Sequence, residues 1–215
     1  MPGLNKLRAS FDLIGERLLS FAGAADLADG ALVVAFMSRT GGEGVTTTAV
    51  GLARSLAAVR SMRVLVVGYD AGGAGAAVKL GIGPQAFPGF GAAADAPKPG
   101  QFIQKVDDVH LHVLTLDPSS ASAFPSDPRW PEALAGLRRA YDVILVDAGA
   151  RHRPLPPRWG NTVHRVVLVV DTSRTTEEEL GRFKAELDAA GQRADAVILS
   201  KRDYHVPGFL YRYVR

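Results

Sequence analysis

Short runs of valine, leucine and isoleucine recur along most of the chain, with stretches of helical periodicity between them. Such uninterrupted apolar runs are typical of strands that are buried on both faces of a parallel sheet. Strands are predicted over 31–36, 63–67, 111–116, 143–146, 166–170 and 196–199. Helices are predicted over 47–59, 130–140 and 176–190, with a short one near 75–80. This alternation predicts an α/β fold in which helices cover both faces of a mostly parallel central sheet.

The first 29 residues carry a different pattern. Apolar side chains recur at spacings of three and four, at Leu4, Leu7, Phe11, Ile14, Leu18 and Phe21. This spacing predicts an amphipathic helix with one apolar stripe. We expect the stripe to dock on the protein's own core. A partner-binding or membrane-surface helix is the alternative, although the polar face carries both signs of charge. The chain therefore divides into a helix and linker over 1–29 and a main domain over 30–215.

Composition limits the possible classes of protein without naming a function. The 215 residues are 47% hydrophobic and 22% charged, which suits one ordinary globular domain. The chain contains no cysteine, so disulfides and thiolate metal sites are excluded. No apolar run approaches the roughly 20 residues of a membrane-spanning helix, and no signal-peptide pattern begins the sequence. A net charge of +3 does not indicate nucleic-acid binding, and we expect no nucleic-acid partner.

A glycine-rich loop joins the first predicted strand of the main domain to its first predicted helix. A phosphate-binding loop needs glycines whose N–H groups surround the phosphate oxygens, a lysine that neutralises charge, and a hydroxyl for Mg²⁺. The glycines Gly41, Gly42 and Gly44 and the hydroxyl of Thr46 are present, but Val45 stands where the lysine belongs. The following helix would direct its N-terminal N–H groups and its dipole at the loop, as an anion site requires.

Three motifs, in order, give the chain a specific resemblance. They are Gly-Glu-Gly-x-Thr-Thr-Thr at 42–48, Val-Leu-Val-Val-Gly-Tyr-Asp at 64–70 and Tyr-Asp-Val-Ile-Leu-Val-Asp at 141–147. Over about 30–215 the chain resembles the bacterial tyrosine kinases (BY-kinases) of capsule and exopolysaccharide assembly. Those kinases belong to the deviant-Walker P-loop ATPases, together with the MinD and ParA proteins. The resemblance implies a P-loop NTPase-like fold and a site for ATP or ADP with Mg²⁺.

Position by position, the charged groups of this family are only partly present. The two places where a loop lysine occurs hold Thr40 and Val45. The family's second strand ends in Asp-x-Asp-x-Arg, and the matching residues here are Gly68, Asp70 and Gly72. The first acid and the arginine are therefore absent.

The acid that ends the third motif survives. It is Asp147, although the family's Thr-Pro-Pro after it is replaced by Ala-Gly-Ala, and Ser200 stands in the place of a base-contacting asparagine. The resemblance assigns any bound Mg²⁺ to Thr46 and Asp147, and it leaves Asp70 and Asp147 as the candidate catalytic residues. The vestigial phosphate loop consists of Gly41, Gly42, Glu43, Gly44, Val45, Thr46 and Thr47.

Two hypotheses of function follow from the resemblance. Phosphoryl transfer depends on positioning and charge neutralisation, so the lost charges suppress turnover more than binding. The preferred hypothesis is a pseudo-kinase or pseudo-ATPase with no cofactor or a weakly bound one. It would be a cytoplasmic scaffold or regulator of exopolysaccharide synthesis and export, docked on an inner-membrane chain-length regulator and able to self-associate. The alternative is an active ATPase or tyrosine autokinase in which Arg39 or Lys79 supplies the missing charge.

Two surface features have a functional and a structural interpretation. Tyr204, Tyr211 and Tyr213 resemble the autophosphorylated tails of these kinases, but their apolar neighbours favour a packed terminal segment. The basic residues between Arg151 and Arg165 form a solvated surface or a site for an anionic partner.

Overall fold

The structure is a computed structural model that describes residues 2–20, 30–69, 75–83, 85–90, 98–106, 110–117, 127–150, 155 and 162–200. The strands in these ranges are β1 Leu32–Ser38, β2 Val64–Tyr69, β3 Ala86–Phe87, β4 Ile103–Val106, β5 Leu111–Leu116, β6 Val143–Ala150, β7 Arg165–Asp171 and β8 Ala196–Ser200. The helices are α1 Pro2–Ser20, α2 Val45–Arg60, α3 Ala76–Lys79, α4 Trp130–Leu137 and α5 Glu177–Ala189, with a 3-10 helix over Pro99–Phe102.

The strands form one sheet, in the order β3-β5-β2-β6-β1-β7-β8, with β4 paired to β5 as well. Every pair along this order is parallel, and β4 runs antiparallel to β5. Parallel neighbours need crossover connections, which α2 and α5 supply in the described chain. The carboxyl ends of β1, β2, β6, β7 and β8 consequently share one edge of the sheet. The predicted α/β fold with a mostly parallel sheet is confirmed.

All six predicted strands are present, and two further ones were missed. β3 is only two residues long, and β4 carries Gln104 and Lys105. Both pair only with β5, at the edge of the sheet, so neither needs an apolar residue at every position. The predicted helix over 130–140 is also shorter, because helical structure ends at Leu137 and a turn follows.

The core lies on both faces of the sheet, and β1 shows the division most clearly. All seven of its residues are buried. Val33, Ala35 and Met37 belong to the apolar layer under α4 and α5. Leu32, Val34 and Phe36 belong to the opposite layer, under α2. Burial on both sides explains why this strand has the uninterrupted apolar sequence that a parallel sheet requires.

The N-terminal helix packs on the outer side of α2. The ring of Phe11 lies directly over Gly51, where an added Cβ would come within 2.2 Å of the ring. The hydroxyl of Ser55 donates a hydrogen bond to the carboxylate of Asp12. Leu18 is buried in the same apolar layer as α2. Docking on the protein's own core is thus confirmed for this part of the stripe.

Two further predictions concern the boundary of this region and membrane spanning. The division of the chain at residues 29 and 30 stays a prediction, because residues 21–29 lie outside the described ranges. None of the helices that the structure describes combines the length and the apolar character needed to cross a bilayer.

The contact between Phe11 and Gly51 can be tested with two alanine substitutions. Gly51→Ala should destabilise the protein by about 1–3 kcal/mol, because the new methyl group displaces the aromatic ring. Gly181→Ala is the matched control, since Gly181 lies in α5 with open space around it. It should stabilise the protein by about 0.5–1 kcal/mol through helix propensity alone. Urea denaturation measures both changes, and equal effects of the two substitutions would contradict the packing described.

Candidate functional site

The glycine loop lies at the edge of the sheet where the parallel strands end. β1 ends at Ser38 and α2 begins at Val45, so the loop runs directly into a helix N-terminus. Gly42 and Gly44 have φ angles of 79° and 98°, in the left-handed region that favours glycine. Gly44 is the N-cap of α2, and no side chain caps the first turn. The predicted loop-to-helix geometry of an anion site is therefore present in the backbone.

A buried carboxylate braces this loop from below. Glu43 is only 1% exposed. Its Oε1 atom accepts hydrogen bonds from the backbone N–H of Thr40 at 3.2 Å, from the Thr40 hydroxyl, and from the Thr175 hydroxyl at 3.1 Å. The Ser200 hydroxyl donates to the carbonyl oxygen of Glu43 at 2.6 Å. The loop is thus tied to the turn after β7 and to the end of β8.

The side chain that replaces the lysine contributes to packing. Val45 is the first residue of α2 and is 5% exposed. It belongs to the same apolar layer as Phe36 and Val169, between α2 and the sheet. The position therefore supplies no charge to the loop, and its side chain is part of the core.

The two residues assigned to Mg²⁺ lie together. The side chain of Thr46 lies close enough to the carboxylate of Asp147 to lower its pKa, and the backbone N–H of Gly149 donates to Asp147 Oδ1 at 3.1 Å. Asp147 is 4% exposed, and this burial raises its pKa, although its interactions with Thr46 and Gly149 and the charge of Lys79 act in the opposite direction. A hydroxyl and a carboxylate are oxygen ligands of the kind that Mg²⁺ prefers. This pair fits the ion, but burial disfavours the charged carboxylate that would bind it.

The position of the family's first acid is closed by its neighbour. A Cβ added to Gly68 would lie 2.9 Å from Cβ of Asp147, so a side chain there would require Asp147 to move. This close approach explains why position 68 is a glycine. β2 and β6 are adjacent in the sheet, and Asp147 on β6 fills the space that a side chain at position 68 on β2 would need. The second candidate acid, Asp70, and Gly72 lie outside the described residues, so the role of Asp70 stays a prediction.

The cations named from the sequence differ in position. Arg39 forms a 2.7 Å ion pair with Glu186, and its guanidinium lies over the ring of Phe183, so contacts with α5 hold it. Lys79 is near enough to Asp147 to lower its pKa by charge.

A third cation was missed from the sequence. Arg174 Nη1 lies 3.7 Å from where a Cβ on Gly42 would be. The sequence contained one indication of this position: Arg174 comes shortly after β7, and the carboxyl end of β7 lies at the same edge of the sheet as the loop.

Neutralising Asp147 should stabilise the fold at neutral pH. Because burial raises the pKa of Asp147 in the folded state, stability falls as pH rises from the ordinary value of 3.8 through the folded pKa. Asp147→Asn should therefore raise Tm at pH 7 by on the order of 2–4 °C, which corresponds to about 1 kcal/mol in a domain of this size. The gain should shrink as the pH approaches 4. Asp188→Asn, at an exposed position of α5, should change Tm little. Calorimetry that shows a lower Tm for Asp147→Asn at pH 7 would refute this interpretation.

Comparison with known proteins gives likenesses in structure. No protein-family model matches the sequence, and no curated protein matches it. The VpsO kinase domain is similar with a TM-score of 0.65 and 23% identity, over 93% of this chain and 98% of that one. The kinase domain of the Escherichia coli tyrosine kinase ETK has a TM-score of 0.63 and 17% identity, over 84% and 72%. The Pyrococcus furiosus cell division ATPase MinD has a TM-score of 0.63 and 21% identity, over 86% and 79%.

At these identities the likenesses establish the fold. They agree with the order of motifs in the sequence, which resembles the same two groups of proteins. The chain has the P-loop NTPase fold that bacterial tyrosine kinase domains share with MinD-type ATPases.

Proposed function

We propose that this protein is a non-catalytic relative of the bacterial tyrosine kinases that serves as a scaffold or regulator of exopolysaccharide synthesis and export. It acts in the cytoplasm, at the inner membrane, by docking on a chain-length regulator. The order of motifs in the sequence and the fold shared with the VpsO and ETK kinase domains support the relationship. The pathway and the partner come from the resemblance of the motifs.

The main observation behind a non-catalytic protein is the buried, uncharged side chain of Val45 at the lysine position. A phosphoryl-transfer site must neutralise the charge that spreads over the transferred group. In this chain the side chain at the lysine position is buried in the core, and the room for the first acid of β2 is taken by Asp147. Loss of one preorganised charge donor typically lowers a rate on the order of 100- to 1000-fold. The combined losses therefore predict negligible turnover.

The pairing of Thr46 with Asp147 favours the alternative of an active ATPase or tyrosine autokinase. It keeps one hydroxyl and one acid where Mg²⁺ would be needed. However, an oxygen pair without a cation at the transferred phosphate leaves the developing charge unbalanced. We therefore prefer the non-catalytic function and use Asp147 as the residue that separates the two hypotheses.

The kinase activity can be tested directly by mass spectrometry. The purified full chain, incubated with Mg-ATP, should contain no phosphotyrosine. The variant Val45→Lys should also contain none, because glycine still stands at positions 68 and 72, where the family has an acid and an arginine. Phosphotyrosine in the wild-type chain that disappears in Asp147→Asn would contradict the proposal and establish the alternative.

The scaffold function predicts that polymer production is independent of Asp147. In a strain that lacks this protein, the wild-type chain and Asp147→Asn should restore the same amount of exopolysaccharide, and both should co-purify with the chain-length regulator. The same strain with an empty vector is the control, and it shows whether polymer production requires this protein. Normal levels of the Asp147→Asn protein without polymer would show that the scaffold hypothesis is wrong.

A further inference from the structure

β8 is the last strand on one side of the sheet. Among the described residues it pairs only with β7, in parallel. The N–H of Asp195, just before β8, donates to the carbonyl oxygen of Val166 on β7 at 2.8 Å. Successive residues of a strand direct their N–H and C=O groups to opposite sides, so those of Ala196 and Ile198 point away from β7. Within the described chain, β8 therefore presents backbone donors and acceptors at a free edge.

The two faces of β8 differ in burial. Ala196 and Ile198 pack against the apolar layer under α2. Val197 and Leu199 alternate with them on the opposite face and are 38% and 49% exposed. Three other large apolar side chains in the described ranges are exposed, one on each of three helices: Leu13, Val59 and Val78. β8 thus combines a free backbone edge with two neighbouring exposed apolar side chains.

The opposite edge of the sheet is protected against pairing with another strand, and β8 is not. At the opposite edge, β3 is two residues long and β4 contains the exposed Lys105. Short strands and charged side chains are common means by which proteins prevent pairing at a sheet edge. β8 has five residues, Ala-Val-Ile-Leu-Ser, with no charge, proline or glycine among them. Its sequence therefore favours pairing.

β8 is complementary to a second copy of itself. When two β8 strands lie antiparallel with Ile198 at the centre, the outward N–H and C=O groups of the two Ile198 residues bond to each other. Val197 of each copy then lies directly opposite Leu199 of the other, in a non-hydrogen-bonded pair whose side chains approach closely. Cross-strand side-chain pairs of this kind stabilise antiparallel sheets. This register pairs the two apolar residues that the single chain leaves exposed.

We propose that two copies of this protein form a dimer by antiparallel pairing of their β8 strands, about a two-fold axis at Ile198. The contact is isologous and occupies the free β8 edge of both copies, so association through it stops at the dimer. The two sheets join into one continuous sheet. Pairing at β8 goes beyond the proposed function and does not depend on it, because it requires neither nucleotide chemistry nor a docked regulator.

The size of the contact sets the expected strength of the dimer. One five-residue strand from each copy gives a contact below the roughly 1,200–2,000 Å² that stable interfaces bury. We therefore expect reversible association in the micromolar range, in which monomer and dimer coexist.

Sedimentation velocity of the full chain, from about 1 to 500 µM, tests the dimer. The wild-type protein should change from monomer to dimer over this range. Val197→Lys should weaken dimerisation at least roughly 10-fold, because the two-fold axis brings two added positive charges into one contact. Val59→Lys is the matched control, since it makes the same substitution at a 49% exposed position on α2. It should leave the dissociation constant within about twofold of the wild type.

Cross-linking tests the register without relying on a charged variant. The chain contains no cysteine, so introduced thiols are the only ones present. In a mixture of the Val197→Cys and Leu199→Cys proteins, the two substituted positions face each other at about 4.5 Å between Cα atoms, within the range of a disulfide. Either variant alone places its two thiols on a diagonal of about 7–8 Å. Mild oxidation should therefore give much more disulfide-linked dimer in the mixture than in either variant alone.

The outcomes separate the dimer from the proposed function. A wild-type monomer at all concentrations, equal effects of Val197→Lys and Val59→Lys, or equal cross-linking of the mixture and the single variants would overturn pairing at β8. None of these results concerns phosphoryl transfer or polymer production, so the proposed function would stand. Phosphotyrosine in the wild-type chain would contradict the non-catalytic function and leave the dimer in place.

Discussion

The buried carboxylate of Glu43 is the interaction on which the shape of the site depends. A buried carboxyl group is costly unless hydrogen-bond donors satisfy it. At Oε1 the donors come from the loop itself, at Thr40, and from a turn more than a hundred residues later, at Thr175, whereas Oε2 has no partner among the described residues. Ser200 adds a third tether through the Glu43 carbonyl. Contacts within the protein therefore hold the loop in its phosphate-binding shape.

This arrangement separates the shape of the site from its charge. The backbone cradle depends on glycine conformations and on buried hydrogen bonds that also hold β7, β8 and α2 together. The charged groups of a catalytic site do not stabilise the fold in this way, and they often destabilise it. Val45 adds to the apolar core, and Gly68 leaves room for Asp147. A chain released from catalysis can keep the first set of contacts, which stabilise it, while it loses the second.

The sequence predicts the parts of this structure that arise from local pattern. Two-sided burial forces apolar runs, so the five inner strands β1, β2, β5, β6 and β7 were predictable, and the apolar run of the edge strand β8 was recognised with them. Glycine spacing with a following helical pattern identified the loop. β3 escaped prediction because it is only two residues long, and β4 because an edge strand tolerates polar residues. The contacts of Glu43 with Thr175 and of Phe11 with Gly51 join residues that are far apart in sequence. Local patterns of apolar and polar residues do not predict such contacts. Arg174 was missed for the same reason, because only the folded turn brings it to the loop.

The central claim is that the site retains the backbone geometry of a phosphate-binding loop but no longer catalyses phosphoryl transfer. Release of inorganic phosphate from Mg-ATP, followed over many hours at high protein concentration, tests it most directly. The account predicts that the rate with wild-type protein equals that with Asp147→Asn and that both match the buffer background. A wild-type rate above background that Asp147→Asn abolishes would contradict it, because such a rate would show that the pair of Thr46 and Asp147 still supports phosphoryl transfer.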